Sequence, residues 1–529
     1  MYFRISIVLY TLVERIELDI KKSSGLIMHP TALPSKYGIG DFGNTSKEFI
    51  DFLEETSTNV WQVLPLGLTS LDEFSPYSSP SSILGNRYLI DIEQLDGFDN
   101  KNYNVENFSK EYVEYKKVYD FKDLVFKDLS QTINPDDEIY SNFLNEELIK
   151  QHITFLALKD LKQTVWTSWD NEYKEYSEKL FEKLLKDESH LMNFHIFTQY
   201  EFFKQWNDLK KYANDKKINI LGDIPIYVNH DSADVWLNKE IFELDQNGEM
   251  EFISGAVPDS FNQQGQVWGN ALYKWDNHKS SNFKYWKEKL NKSLDLYDYL
   301  RVDHFVGFFK FWAIPTGESA LNGHWREGPR HDFFESISQD VDLTKLLAED
   351  LGVILKETKE ILTKYNIPGM KVLQQRIPDD VEDLPFLGDT EVIDKESLFE
   401  EASDDYFEET HPNEWDYNLA AYTGTHDSPT TQEWFDEVNE SKYKNYKEYT
   451  KTLKNSFNND VWDFIALVWE SNSQLAITTT QDLLKLDSKA RFNIPGTSEN
   501  NWIWRLENLN SLEEVKEDLK TLNKATNRA

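Results

Sequence analysis

The sequence predicts an α/β fold: a (β/α)8 TIM barrel with inserted, mostly helical subdomains and no C-terminal β-sandwich domain. Three observations predict it. Four short apolar, β-compatible runs end in or carry the acidic residues Asp223, Asp303, Glu349 and Asp427. Each run is separated from the next by enough chain for a helical crossover, and none reads as half of a hairpin. Functional groups spread over the C-terminal ends of several parallel strands are a barrel layout, whereas a doubly wound open sheet gathers them at one switch point.

Length and composition narrow the function classes. The 529 residues suffice for one large domain with insertions. Lys and Arg total 56 against 93 Asp and Glu, a net charge of −37 that repels phosphate backbones and anionic lipid. Nucleic acid and membrane are therefore excluded as partners. With no cysteine there is no disulfide, thiolate chemistry or Cys-based zinc site, which fits a reducing, cytoplasmic setting. No metal or cofactor is called for. Aromatic residues make up 14%, including 16 Trp. They either fill a large core or supply flat platforms on which the C–H faces of sugar rings pack.

Taken in order, residues 1–23 read as an N-terminal extension. The apolar run Ile5 to Val13 is too short to span a bilayer, and Glu14, Arg15 and Glu17 follow it in place of a cleavage site. The first strand is Ser24 to His29. Gly38-Ile39-Gly40-Asp41-Phe42-Gly43 matches GxGxxG, but the loop Pro30 to Tyr37 separates it from its strand and Asp41 would face a pyrophosphate, so it is rejected as a nucleotide site. Thr45-Ser46-Lys47-Glu48 has the form of a capping box opening a helix with apolar face Phe49, Ile50 and Leu53. Val60 to Gly67 is a second strand, and just beyond it Ser75 and Tyr77 are either turn residues or ligand contacts.

Residues 91–215 are charged, nearly free of Gly and Pro, and helically periodic, an inserted subdomain; 24–90 and 216–529 form the barrel. Ile218 to Val228 is a strand carrying Asp223. Pro258 to Asn270, with Phe261, Gln266, Trp268 and Asn270, reads as a mobile loop suited to clamping sugar. A helix at Tyr285 to Leu296 leads into Tyr299 to Gly307. Leu346 to Gly352, Met370 to Ile377, Leu419 to Asp427 and Leu475 to Thr480 supply the remaining strands, and the acidic stretch 378–410 reads as a solvated loop.

The chain is organised around Arg301-Val302-Asp303-His304. Alternation puts Arg301 and Asp303 on one face, so the guanidinium holds an ionised carboxylate in place. Carboxylates converging on one barrel mouth repel in a partly desolvated site, which a purely structural role does not explain. Retaining glycoside chemistry uses such a set, with the two reacting carboxyl groups about 5–5.5 Å apart. Asp303 is then the nucleophile. Glu349, with no arginine in its own segment, is the raised-pKa acid that later becomes the base. His426 and Asp427 grip ring hydroxyls.

On these residues the chain resembles the 4-α-glucanotransferases (amylomaltase or disproportionating enzyme), glycoside hydrolase family 77 of the α-amylase superfamily. The resemblance covers nearly all of 24–505. It rests on Ser24 to Gly43, Ser75-Pro76-Tyr77, Gly222 to Trp236, Gly265 to Tyr273, Arg301 to Gly307, Ala348 to Gly352, Gly369 to Gln374, Tyr422 to Asp427 and Gln481 to Trp504. It implies retaining transfer of an α-1,4-glucan segment (maltodextrin, starch or glycogen) to the 4-hydroxyl of another glucan or glucose. By motif position Asp303, Glu349 and Asp427 match the nucleophile, the acid/base and the transition-state stabiliser. Arg301, His426, Asp223 and Tyr77 match donor-site contacts, with Ser75 and His304 beside them. Phe261, Gln266 and Trp268 match the acceptor-side loop, with Asn270 at its end. Val306, Val257 and Ser428-Pro429 depart from the usual pattern without touching the three carboxylates. The alternatives are an α-glucan hydrolase with the same carboxylates and a silent glucan-binding protein; oligomeric state stays open.

Overall fold

The computed structural model describes residues 22–69, 73–105, 107–258, 264–352, 355–378, 411–497 and 499–529. The N-terminal extension through residue 21, Phe261 and nearly all of the acidic stretch 378–410 lie outside the described residues.

Eight strands form one all-parallel sheet: β1 (Ser23–Ile27), β2 (Val60–Gln62), β3 (Asn219–Ile224), β6 (Tyr299–Val302), β9 (Leu346–Ala348), β10 (Gly369–Val372), β11 (Leu419–Tyr422) and β12 (Leu475–Thr479). Their order is β10-β11-β12-β1-β2-β3-β6-β9, and the Ala348 N–H donates to Pro368 O at 2.8 Å to draw β9 onto β10. This is the expected (β/α)8 barrel. Among the described residues no strand follows β12. Ile27, Val60, Leu221, Leu347, Met370, Val372, Ala420, Tyr422 and Ile477 pack together as one buried cluster, a filled barrel centre. At the bottom, the buried Arg528 guanidinium donates to the carbonyls of Trp469, Ser471, Ser473, Gln474 and Ser23, joining the entries of β12 and β1.

The strands are shorter than their apolar runs. β2 stops at Gln62 ahead of Pro65, and β3 at Ile224 ahead of Pro225, since proline cannot donate to a ladder. β10 ends at Val372 and the chain turns helical over Leu373–Arg376. Helix α1 (Asn44–Thr56) buries Phe49, Ile50 and Leu53, but its N-cap is Gly43 and the expected capping box is absent. Thr45 and Ser46 donate instead to Pro34 O and Asp41 O, so tertiary bonds override the local cap. A Cβ on Gly40 would lie 1.9 Å from Pro30 O, which accounts for that glycine by packing and not by phosphate approach.

Between β2 and β3 run α2 (Tyr115–Leu129), α3 (Glu147–Lys162) and the long α4 (Ser189–Asp215). They share one core with the barrel: Trp206 of α4 is buried and its indole donates to Leu296 O at 3.0 Å. A second, antiparallel sheet of order β5-β4-β7-β8 stands beside the barrel: β4 (Phe252–Ala256), β5 (Gln266–Ala271), β7 (Lys310–Pro315) and β8 (His324–Glu327). It corrects the reading of 258–270 as loop throughout, because Gln266 to Asn270 are strand residues laddered to β4. No helix among the described residues is long and apolar enough to cross a membrane.

Candidate active site

The barrel strands end at one mouth. β3 carries Asp223 there, and its register with β6 sets Asp223 opposite Arg301. One residue beyond β6 is Asp303; one beyond β9 is Glu349; four and five beyond β11 are His426 and Asp427. Pairing continues past the strand ends: Asp303 N–H donates to Ile224 O at 2.9 Å and Glu349 N–H to Val302 O at 3.1 Å, so both carboxyl groups ride on ladder-held backbone.

Arg301 is the hub of the charges. Its side chain is only 3% exposed, and Nη1 lies 2.6 Å from Asp223 and 2.9 Å from Asp303, while Nη2 is 3.9 Å from Glu349. The strand alternation thus places Arg301 on Asp303 as expected. The shorter partner, Asp223, comes from a strand 78 residues away. Burial, reinforced by the Asp303 charge and opposed by Arg301, raises Glu349 to about 8. Asp223 also rises, chiefly by burial. Glu349 accepts the N–H of His304, whose backbone is left-handed at φ 50°, an uncommon state for a non-glycine residue. Burial lowers the His304 imidazole to about 4.

Asp427 is held differently. Burial would raise it, but His426 and the Asn493 amide outweigh burial and bring it to about 2. Its Oδ2 is 3.3 Å from His426 Nε2, and its Oδ1 accepts Asn493 Nδ2 at 2.6 Å. The His426 ring stacks on Tyr77 at 5.1 Å, and the Tyr77 hydroxyl donates to Asp223 Oδ2 at 2.9 Å. Asp223 Oδ1 and His426 Nδ1 are buried without a hydrogen-bond partner. Such orphans are costly unless a ligand satisfies them.

The remaining expected residues divide. The Trp268 ring meets His304 edge to face at 4.9 Å, and its indole donates to Gln266 Oε1 at 3.1 Å. Asn270 Nδ2 donates to Asn229 Oδ1 at 3.1 Å. Ser75 accepts the Tyr77 N–H at 3.2 Å, the turn chemistry weighed for it. Sequence reading missed Asn493 and Trp502. Trp502 tilts against Tyr77 and His426 at 5.9 and 6.0 Å and holds φ 64°, rare for a bulky side chain. Nothing in the sequence around Asn493 marks its contact with a carboxylate 66 residues earlier.

The profile of the 4-alpha-glucanotransferases, glycoside hydrolase family 77, matches residues 28–511. The 4-alpha-glucanotransferase of Clostridium butyricum is 39% identical over 491 residues, covering 90% of this chain and 95% of that one. That of Aquifex aeolicus is 36% identical over 493 residues, covering 91% and 95%. Amylomaltase from Streptococcus agalactiae, solved in complex with acarbose, matches with a TM-score of 0.85 at 32% identity, over 96% of this chain and 100% of that one.

Proposed function

Because the chain belongs to the 4-alpha-glucanotransferase family, glycoside hydrolase family 77, we propose that the carboxylates at its barrel mouth perform retaining transfer through a glycosyl-enzyme. The chain is a hexosyltransferase acting on α-1,4-glucans. In the first half-reaction an Asp303 oxygen attacks the anomeric carbon of the donor. The bond from that carbon to the glycosidic oxygen breaks, and the oxygen takes the Glu349 proton. A shortened glucan leaves with a free 4-hydroxyl, and a glycosyl ester remains on Asp303. In the second half-reaction the acceptor's 4-hydroxyl passes its proton to the Glu349 carboxylate as its oxygen attacks the anomeric carbon. Asp303 departs as a carboxylate, and two inversions preserve the configuration.

One observation carries this division of labour. A single guanidinium is bonded to Asp303 at 2.9 Å but stands 3.9 Å from Glu349, which burial raises to about 8. The two carboxyl groups of one mouth are thereby unequal, as an acid and a nucleophile must be. Asp427, anionic between His426 and Asn493, opposes the positive charge that develops on the sugar ring. Asp223 Oδ1 and His426 Nδ1 await donor hydroxyls, with Tyr77 and Arg301 shaping the same side. Trp268 and Gln266, with Asn270 and Phe261, serve the acceptor, which is a second glucan or glucose. Oriented binding there gives a hydroxyl its advantage over water.

Incubation with maltotriose alone tests the reading. A transferase converts it into longer oligosaccharides plus shorter products down to glucose. Exclusive formation of shorter products would make the enzyme a hydrolase, and unchanged maltotriose would make it a binding protein.

A further inference from the structure

We infer that Arg491 is a positioning residue that aims Asp427, an inference that rests on Asp427 as the carboxylate stabilising the transition state. Asp427 stands five residues past the end of β11, beyond any ladder bond, and its side chain is 42% exposed to the cleft. Something outside its own strand must hold it. Arg491, 17% exposed, spreads its guanidinium over three groups that surround it. Nη2 donates to the Asp427 carbonyl at 3.2 Å, Nε to the Asn493 carbonyl at 2.9 Å, and Nη1 reaches Glu433 Oε1 at 3.3 Å.

Each of these contacts leads back to Asp427. Asn493 is the residue whose amide holds Asp427 Oδ1 at 2.6 Å. Glu433 accepts the Thr430 N–H at 3.2 Å, closing the capping box of the helix Thr431–Glu437 that ends the Asp427 loop. One planar fork therefore fixes the backbone of Asp427, the backbone of the residue gripping its carboxylate, and the stem of its loop. Three divergent acceptors suit the rigid donor fork of arginine, and a lysine ammonium cannot reproduce that geometry. Arg491 bonds protein groups in all three directions, so its effect on the reaction passes through Asp427.

A displacement on the order of 1 Å at a reacting group costs up to about 100-fold in rate. Arg491→Met is expected to lower kcat on maltotriose by about 10- to 100-fold, with KM changed by less than about 2-fold, and added methylguanidinium should restore part of the rate. Combined with Asp427→Asn, it should add no loss beyond about 2-fold, because the group it positions is gone. Arg491→Lys serves if the methionine variant fails to fold, with the same pattern and a smaller loss. An unchanged kcat in a folded variant, a loss confined to KM, or a double variant slower than Asp427→Asn by the full Arg491→Met factor would overturn the inference. An Asp427→Asn enzyme with wild-type rate would instead remove Asp427 from its role, a separate failure.

Discussion

Replacing Glu349 by glutamine keeps the shape of the side chain and removes its titration. Its carboxyl rises from the ordinary 4.5 to about 8, first through burial and then through the charge of Asp303. A carboxyl whose pKa is raised by folding binds its proton more tightly in the native state. Its contribution to stability is complete below pH 4.5 and is lost as pH climbs through about 8. At ~1.4 kcal/mol for each tenfold change in proton affinity, and with the side chain 18% exposed, the loss is on the order of 3–5 kcal/mol. The glutamine variant does not suffer it. Urea unfolding of both proteins at pH 5 and pH 9 measures this directly. The variant should gain on the order of 3–5 kcal/mol relative to wild type between the two pH values. The other raised carboxyl groups, among them Asp41, Asp223, Asp350 and Asp482, are common to both proteins and largely cancel in the comparison. A difference that stays constant with pH would show that Glu349 ionises normally in the folded enzyme, and the acid assignment would fall. The same titration should give wild-type kcat an alkaline limb near pH 8.

Three further outcomes are expected. Asp303→Asn should fold normally and lose at least about 10³-fold in turnover, since an amide cannot form the glycosyl ester; a variant retaining a tenth of wild-type rate would exclude Asp303 as nucleophile. Trp268→Ala should lower the transfer-to-hydrolysis ratio across a maltose titration more than it lowers cleavage of an activated donor. A constant ratio would confine Trp268 to packing against His304. Arg528→Met should destabilise the fold by about 3 kcal/mol or more, because carbonyls that now accept from a buried guanidinium lose their partner; unchanged urea unfolding would show that the barrel bottom closes without it.

The barrel was legible because each of its eight strands is an apolar run bounded by polar or turn residues, a signal that survives without neighbours. Where the strands stop was less so, since Phe305 after β6 and Leu373 after β10 are as apolar as the strands themselves and are buried for other reasons. The antiparallel sheet escaped detection because Gly265 and Gly269 suggested mobility in a segment where Gln266 to Ala271 in fact pair with β4. Arg301 beside Asp303 could be read from alternation alone. Its bond to Asp223, the Asn493 grip on Asp427 and the placement of Trp502 could not, because each joins segments that only the closed barrel brings together.

The proposed transfer passes through a covalent bond between the donor sugar and Asp303. α-Maltosyl fluoride needs no proton on its leaving group, so the Glu349→Gln enzyme should still form the ester while lacking the base that resolves it. Quenched with acid, digested and analysed by mass spectrometry, the peptide bearing Asp303 should carry one maltosyl unit. A maltosyl group on Asp223 or Asp427, or fluoride release at the wild-type rate with no adduct on any carboxylate, would rule out Asp303 as the nucleophile.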